Sequence, residues 1–111
     1  MTKPVVYVAG PYSHPDPVAN TREAINVADR LLDWCIPLIP HLSLAWHLAS
    51  PKSYEEWLEI GLAWLCVCDA LYRFPGKSAG ADAEVELALA RGIPVLTSMV
   101  ELRSFVNGWK P

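Results

Sequence analysis

Asp69-Ala70-Leu71-Tyr72-Arg73-Phe74-Pro75-Gly76-Lys77-Ser78-Ala79-Gly80-Ala81-Asp82-Ala83-Glu84-Val85-Glu86-Leu87-Ala88-Leu89-Ala90-Arg91-Gly92-Ile93-Pro94-Val95-Leu96 is the stretch that decides how this chain folds. Asp69 to Phe74 is an apolar run of strand length, closed by the turn signal Pro75-Gly76. From Ala81 to Arg91 the pattern is helical, and Gly92 stops it. Ile93-Pro94-Val95-Leu96 is strand-like again. Strand, helix and strand in succession form a βαβ unit, which sets its two strands parallel. Gly80, at the turn into the helix, lets a ligand approach the backbone closely. The free N–H groups of the helix start suit a phosphate or another anion. Glu84, one turn inside that helix, faces the same cleft.

Working outward, Pro4-Val5-Val6-Tyr7-Val8-Ala9 is a β-branched run closed by Gly10-Pro11, a buried first strand. A helix starts near Asp16 to Asn20, with Val18, Ala24, Ile25, Ala28, Leu31 and Leu32 as its expected apolar stripe. Cys35 to Ile39 is a short second strand, its prolines pointing to an edge. Ser43 to Ala49 reads as a short helix or an irregular lid. Ser50 to Glu56 begins the next helix, with Ser53 and Glu56 in capping-box spacing, and Met99 to Val106 is a short last helix. The pattern specifies an α/β fold, Rossmann-like or flavodoxin-like: a three-layer sandwich around a four- to five-stranded parallel sheet. Residues 1–111 read as one domain, without repeats or a linker. Ligands of such sheets bind beyond the carboxyl ends of the strands, where the segments 10–16, 40–47 and 75–80 converge.

The bulk properties narrow the function. Of 111 residues, 52% are apolar, enough for a core without staples. A net charge of −3 argues against a nucleic-acid coat or a membrane-surface binder. No uninterrupted apolar window is long enough for a span, and no secretory leader is recognisable. Cys35, Cys66 and Cys68 read as reduced thiols of a cytoplasmic protein. Cys66-Val67-Cys68 is too tight for the usual zinc or redox spacing. His41 and His47 lack a third ligand nearby, so neither a metal nor an organic cofactor is expected.

Three stretches together resemble the nucleoside 2-deoxyribosyltransferase-like superfamily of deoxyribosyltransferases and nucleotide N-glycosidases, and within it the small bacterial and phage members. They are Val6-Tyr7-Val8-Ala9-Gly10-Pro11-Tyr12-Ser13, Ile36-Pro37-Leu38-Ile39-Pro40-His41-Leu42, and Cys68-Asp69-Ala70-Leu71 through Ser78–Ala88 to Gly92-Ile93-Pro94-Val95. The resemblance implies cleavage or transfer at the N-glycosidic bond of a nucleoside or nucleotide. By position it makes Glu84 the nucleophile that captures the anomeric carbon and Tyr7 the hydroxyl that holds it. Ser78 becomes a contact to the 5′-phosphate, with the backbone of Ala79 and Gly80 as further donors. It also implies a homo-oligomer, in which Asn107 or Trp109 would reach a neighbouring site. One position departs: Gly61 stands where the family has an aspartate that contacts the base and handles its proton.

Gly10, Ser13, His41, Trp46 and Asp69 complete the expected substrate-binding set. His41 leaves the second strand toward the cleft, and Trp46 is the stacking candidate of the lid. Each has a plainer alternative. Tyr7 could be core, Asp69 a cap at a strand start, Asp82 a partner of the helix dipole, and Trp57 and Trp64 helix packing. Arg22 suits either a phosphate or the surface. The expected function is therefore an enzyme acting on a nucleoside 5′-monophosphate. The alternatives are a non-catalytic nucleotide-binding or sensing module, which Gly61 favours, and an interaction protein with a vestigial cleft.

Overall fold

The computed structural model describes residues 3–111. In chain order it contains β1 (Val5–Ala9), α1 (Pro17–Leu31), β2 (Ile36–Leu38), a 3₁₀ turn (Pro40–Leu42), α2 (Ser43–Ala49), α3 (Tyr54–Leu65), β3 (Ala70–Arg73), α4 (Ala79–Arg91), β4 (Val95–Leu96) and α5 (Met99–Gly108). Every strand pair is parallel, and the order across the sheet is β2-β1-β3-β4. Tyr7 of β1 lies opposite Leu38 on one side and Leu71 on the other. The chain thus winds one way from β1 to β2 and the other way from β1 to β3. That reversal opens a crevice at the carboxyl ends of β1 and β3.

Strand alternation builds the two faces. Val6 and Val8 pack with Ala24, Val27, Ala28 and Leu31 of α1 and Leu102 of α5. Tyr7 and Ala9 face the other way, onto Leu65 of α3 and Ala81 and Ala88 of α4. A central strand apolar on both faces is what a covered parallel sheet requires. The sheet has four strands among the described residues. β2 lies at one edge, with Pro37 at its centre opposite Val6.

Local signals fix the helix starts. The Asp16 carboxylate accepts from Val18 N, ahead of Pro17 in the first turn. Ser53 and Glu56 form the reciprocal capping box, which moves the start of α3 to Tyr54, past Ser50 and Pro51. The Ser78 and Ser98 hydroxyls accept from the third residue of their helices. α4 ends on Gly92 in the left-handed conformation, φ 71°.

The stripe expected on α1 is corrected. Ala24, Val27, Ala28 and Leu31 are buried, whereas Val18, Ile25 and Leu32 are 58%, 36% and 49% exposed. The small alanines bring α1 close to the sheet, and the larger residues, seven apart, fall on the flank of that contact. Ser53→Ala removes one half of the capping box on a helix that walls the crevice. It is expected to cost about 1 kcal/mol, a fall of roughly 4 °C or more in Tm, read by thermal unfolding monitored by circular dichroism.

Candidate functional site

α4 is docked by its small residues. Ala81 and Ala88 are 2% and 0% exposed against the sheet. Glu84 follows Ala81 by three and precedes Ala88 by four, so it shares their inward face. Tyr7 is fully buried on the sheet face that α4 covers. Its hydroxyl donates a hydrogen bond to Glu84 Oε2. The structure thus brings together two residues 77 apart in sequence by laying a βα helix over the neighbouring strand.

α3 closes the pair from the third side. Gly61 is buried, and a Cβ on it would stand 2.9 Å from Tyr7 Oη and 3.3 Å from Glu84 Oε2. The position that departs from the resemblance therefore touches the pair, and its lack of a side chain is what the close approach needs. Tyr54, Trp57, Leu58, Gly61 and Trp64 line one face of α3, at helical spacing, along a cleft of about 510 Å³. A volume of that size suits a small organic ligand.

Burial dominates the electrostatics. It pushes the Glu84 carboxyl from 4.5 up to about 7, against the Tyr7 hydrogen bond and the Arg73 charge, both of which favour the carboxylate. Tyr7 is raised too, by burial first and by the Glu84 charge and hydrogen bond next, so the phenol keeps its proton and donates it. Arg73 also donates to Phe74 O and to Gly76 O, the latter at 2.6 Å, and lies 3.5 Å from Asp82. It ties the β3–α4 turn to the first turn of α4.

The other expected residues that line the cleft fall into two groups. Ser78, Ala79 and Gly80 line the cleft at the start of α4, where the Ser78 hydroxyl accepts from Ala81 N at 3.0 Å and keeps its own proton to donate. Gly10, Ser13 and His41 line it from the first loop and the 3₁₀ turn. Gly10 has a structural reason to be glycine, since a Cβ there would lie 2.1 Å from the Phe74 ring. His41 is 3% exposed, stands edge-on to Tyr12, and donates from Nε2 to Pro11 O at 2.8 Å. It binds the 3₁₀ turn to the loop after β1, and burial holds its ring below the usual histidine range.

Two expectations are corrected. Asp69 is at the amino end of β3, the opposite end of the sheet from the cleft, where its carboxylate accepts from Val5 N at 2.8 Å. Trp46 is 46% exposed and does not line the cleft. It packs edge-on against Trp57, ring centroids 4.9 Å apart, and braces that indole from behind. The residue that the sequence left unassigned is His47. Its Nδ1 accepts from Trp57 Nε1 at 2.7 Å and from Lys52 N at 3.2 Å. Those two donors place the ring proton on Nε2, and the ring lines the cleft. Its spacing of four from Ser43, another lining residue of α2, is the sequence signal that points to it.

A family model described as "Domain of unknown function (DUF7768)" matches residues 4–98. The chain belongs to that family. Among solved structures it is similar to "2-desoxiribosyltransferase from Leishmania mexicana", with a TM-score of 0.61 and 24% sequence identity. The likeness covers 85% of this chain and 63% of that one, so the DUF7768 chain spans under two thirds of the transferase's length. It shows a common fold. No curated protein matches the chain. Among the described residues, no three His, Cys, Asp or Glu side chains cluster as metal ligands, and no helix is long and apolar enough to cross a membrane.

A carboxyl raised by burial holds its proton more tightly folded than unfolded. Below the unfolded value of 4.5 this group costs the fold nothing; between there and about 7 the unfolded chain ionises first and stability falls, levelling off above about 7. Glu84→Gln is therefore expected to match the parent at pH 4 and to exceed it by up to about 3 kcal/mol at pH 8.5, measured by urea unfolding at both values.

Proposed function

We propose that this chain cleaves, or transfers a sugar across, the N-glycosidic bond of a nucleoside or nucleoside 5′-monophosphate. The observation that carries the reading is the Tyr7–Glu84 pair at the wall of a cleft sited at the β1/β3 switch point. Rupture of that bond develops positive charge on the sugar, and an ionised Glu84 beneath the ring would stabilise and capture it. The Tyr7 hydroxyl, donating to one carboxylate oxygen, leaves the other free to attack. Water, or a second base, then releases the sugar. The Ser78 hydroxyl and the backbone N–H groups at the start of α4 offer a phosphate cradle, with Lys77 beside them on the cleft wall, which favours a 5′-monophosphate. The scheme calls on no metal and no organic cofactor.

Gly61 favours a second reading, a nucleotide-binding module without turnover, because it leaves that position without an acid. Adding one is not a simple repair: the first side-chain atom at Gly61 already crowds Tyr7 Oη. Gly61→Asp is therefore expected to displace the pair before any carboxyl can serve a leaving group.

Incubation with a panel of nucleosides and 5′-monophosphates, with free base read by chromatography, separates the two. The enzyme releases base, and Glu84→Gln lowers the rate roughly 10³-fold or more. Because the nucleophile must be ionised, kcat/KM is expected to rise with pH and level off above about 7. Binding without release, unchanged by Glu84→Gln, establishes the module instead.

A further inference from the structure

We propose that the leaving group of this site carries its own positive charge: an N-glycosylated aromatic heterocyclium, of the pyridinium or ring-alkylated purine type, rather than a neutral nucleobase. The inference rests on the reading of Glu84 as the group that attacks the anomeric carbon.

A neutral base departs as an anion unless an acid protonates it, and the α3 wall of this cleft holds no carboxyl or imidazole for the task. Among the described residues that line it, Glu84 is the sole carboxyl, and it is committed to the sugar. Gly61 adds nothing there. The His41 Nε2 proton is engaged with Pro11 O. His47 presents an Nε2–H whose loss would leave an imidazolate, since Nδ1 already accepts from Trp57 and Lys52. It is a hydrogen-bond donor to an acceptor on the ligand, not a proton source. His14 also lines the cleft, at the anion end, where it borders a second depression together with Lys77, Ser78 and Ala79. Phenols and alkylammonium ions, the other proton-bearing groups here, are as classes much weaker acids than a carboxylic acid or an imidazolium.

The ligand-facing wall of α3 suits a cation. Trp57, Trp64 and Tyr54 present aromatic rings to the cleft, and a planar cation stacks on such faces. One of these rings already receives a cation: the Lys52 ammonium lies 6.0 Å from the Trp57 ring centroid and 5.2 Å from that of Trp46. Among the described residues that ammonium hydrogen-bonds only to Ser50 Oγ, at 3.2 Å and among exposed atoms, so a flexible side chain marks a seat that a flat cation can take.

The chemistry balances without an acid. The C1′–N bond breaks with its electron pair going to the ring nitrogen, which becomes neutral. A Glu84 oxygen bonds to C1′ in its place. Water then attacks C1′, the Glu84–C1′ bond breaks back to carboxylate, and one proton passes to solvent. Each turnover converts a cationic glycoside and water into a sugar, a neutral heterocycle and a proton.

The test compares nicotinamide mononucleotide and nicotinamide riboside with the neutral purine and pyrimidine 5′-monophosphates and their 2′-deoxy forms, using chromatography for released base and an indicator dye for released protons. The expected result is a kcat/KM for the cationic glycosides roughly 10²-fold or more above the neutral ones, the range one missing general acid is worth, and lost in Glu84→Gln. Tryptophan fluorescence of the parent protein should be quenched by the N-methylnicotinamide cation and not by equal concentrations of nicotinamide, with the quench reduced in Trp57→Leu. Neutral monophosphates cleaved as fast as the cationic ones overturn this inference and leave the glycosidase reading standing. No cleavage of either class overturns both.

Discussion

A carboxyl group held out of water between a strand and two helices sets the terms for the rest of this molecule. Glu84 can sit where it does because Ala81 and Ala88 let α4 lie close on the sheet and because Gly61 lets α3 come close enough to touch the pair. Burial makes the charged form costly, and Tyr7 and Arg73 recover part of that cost. The balance raises the group to about 7, so that both its charged and its neutral form are within reach at neutral pH. Stability is given up at this point to hold an ionisable group in a cleft, the setting in which perturbed carboxyls cluster.

The backbone layout was legible because each element announces itself locally. The Val6–Val8 and Tyr7–Ala9 alternation gives a strand with two covered faces, and the Asp16, Ser53 and Ser78 caps with Gly92 mark helix ends within a residue or two. The Tyr7–Glu84 pairing followed from a resemblance, and its geometry bears out that the two side chains meet. Other features depended on facts that no local pattern carries. Asp69 and Phe74 bound the same strand, but only the direction of β3 says which end meets the cleft. Trp46 and Trp57 have similar propensities, and which indole faces the ligand is decided by how α2 lies on α3. The arrangement at His47 exists only once Trp57, ten residues on, supplies its indole N–H.

Two glycines show how one residue type serves different ends. Gly10 makes way for Phe74, a core ring that also lies against His41, so it orders the first loop from behind. Gly61 makes way for the Tyr7–Glu84 pair itself. A substitution at the first disturbs a support, whereas one at the second presses on the buried pair directly. The same contrast separates His41, whose proton is fixed on a backbone carbonyl, from His47, whose proton is held facing the cleft.

The edge strand β2 has a consequence for how copies of this chain can meet. Ile36 N bonds inward to Pro4 O, so the next residue, Pro37, turns its backbone outward. A proline there offers a carbonyl and no N–H. A passing strand that tried to extend the sheet would find its ladder broken at the centre of a three-residue edge. The β2 side of the sheet is thereby guarded against templated growth, which leaves the two-residue β4 as its other edge.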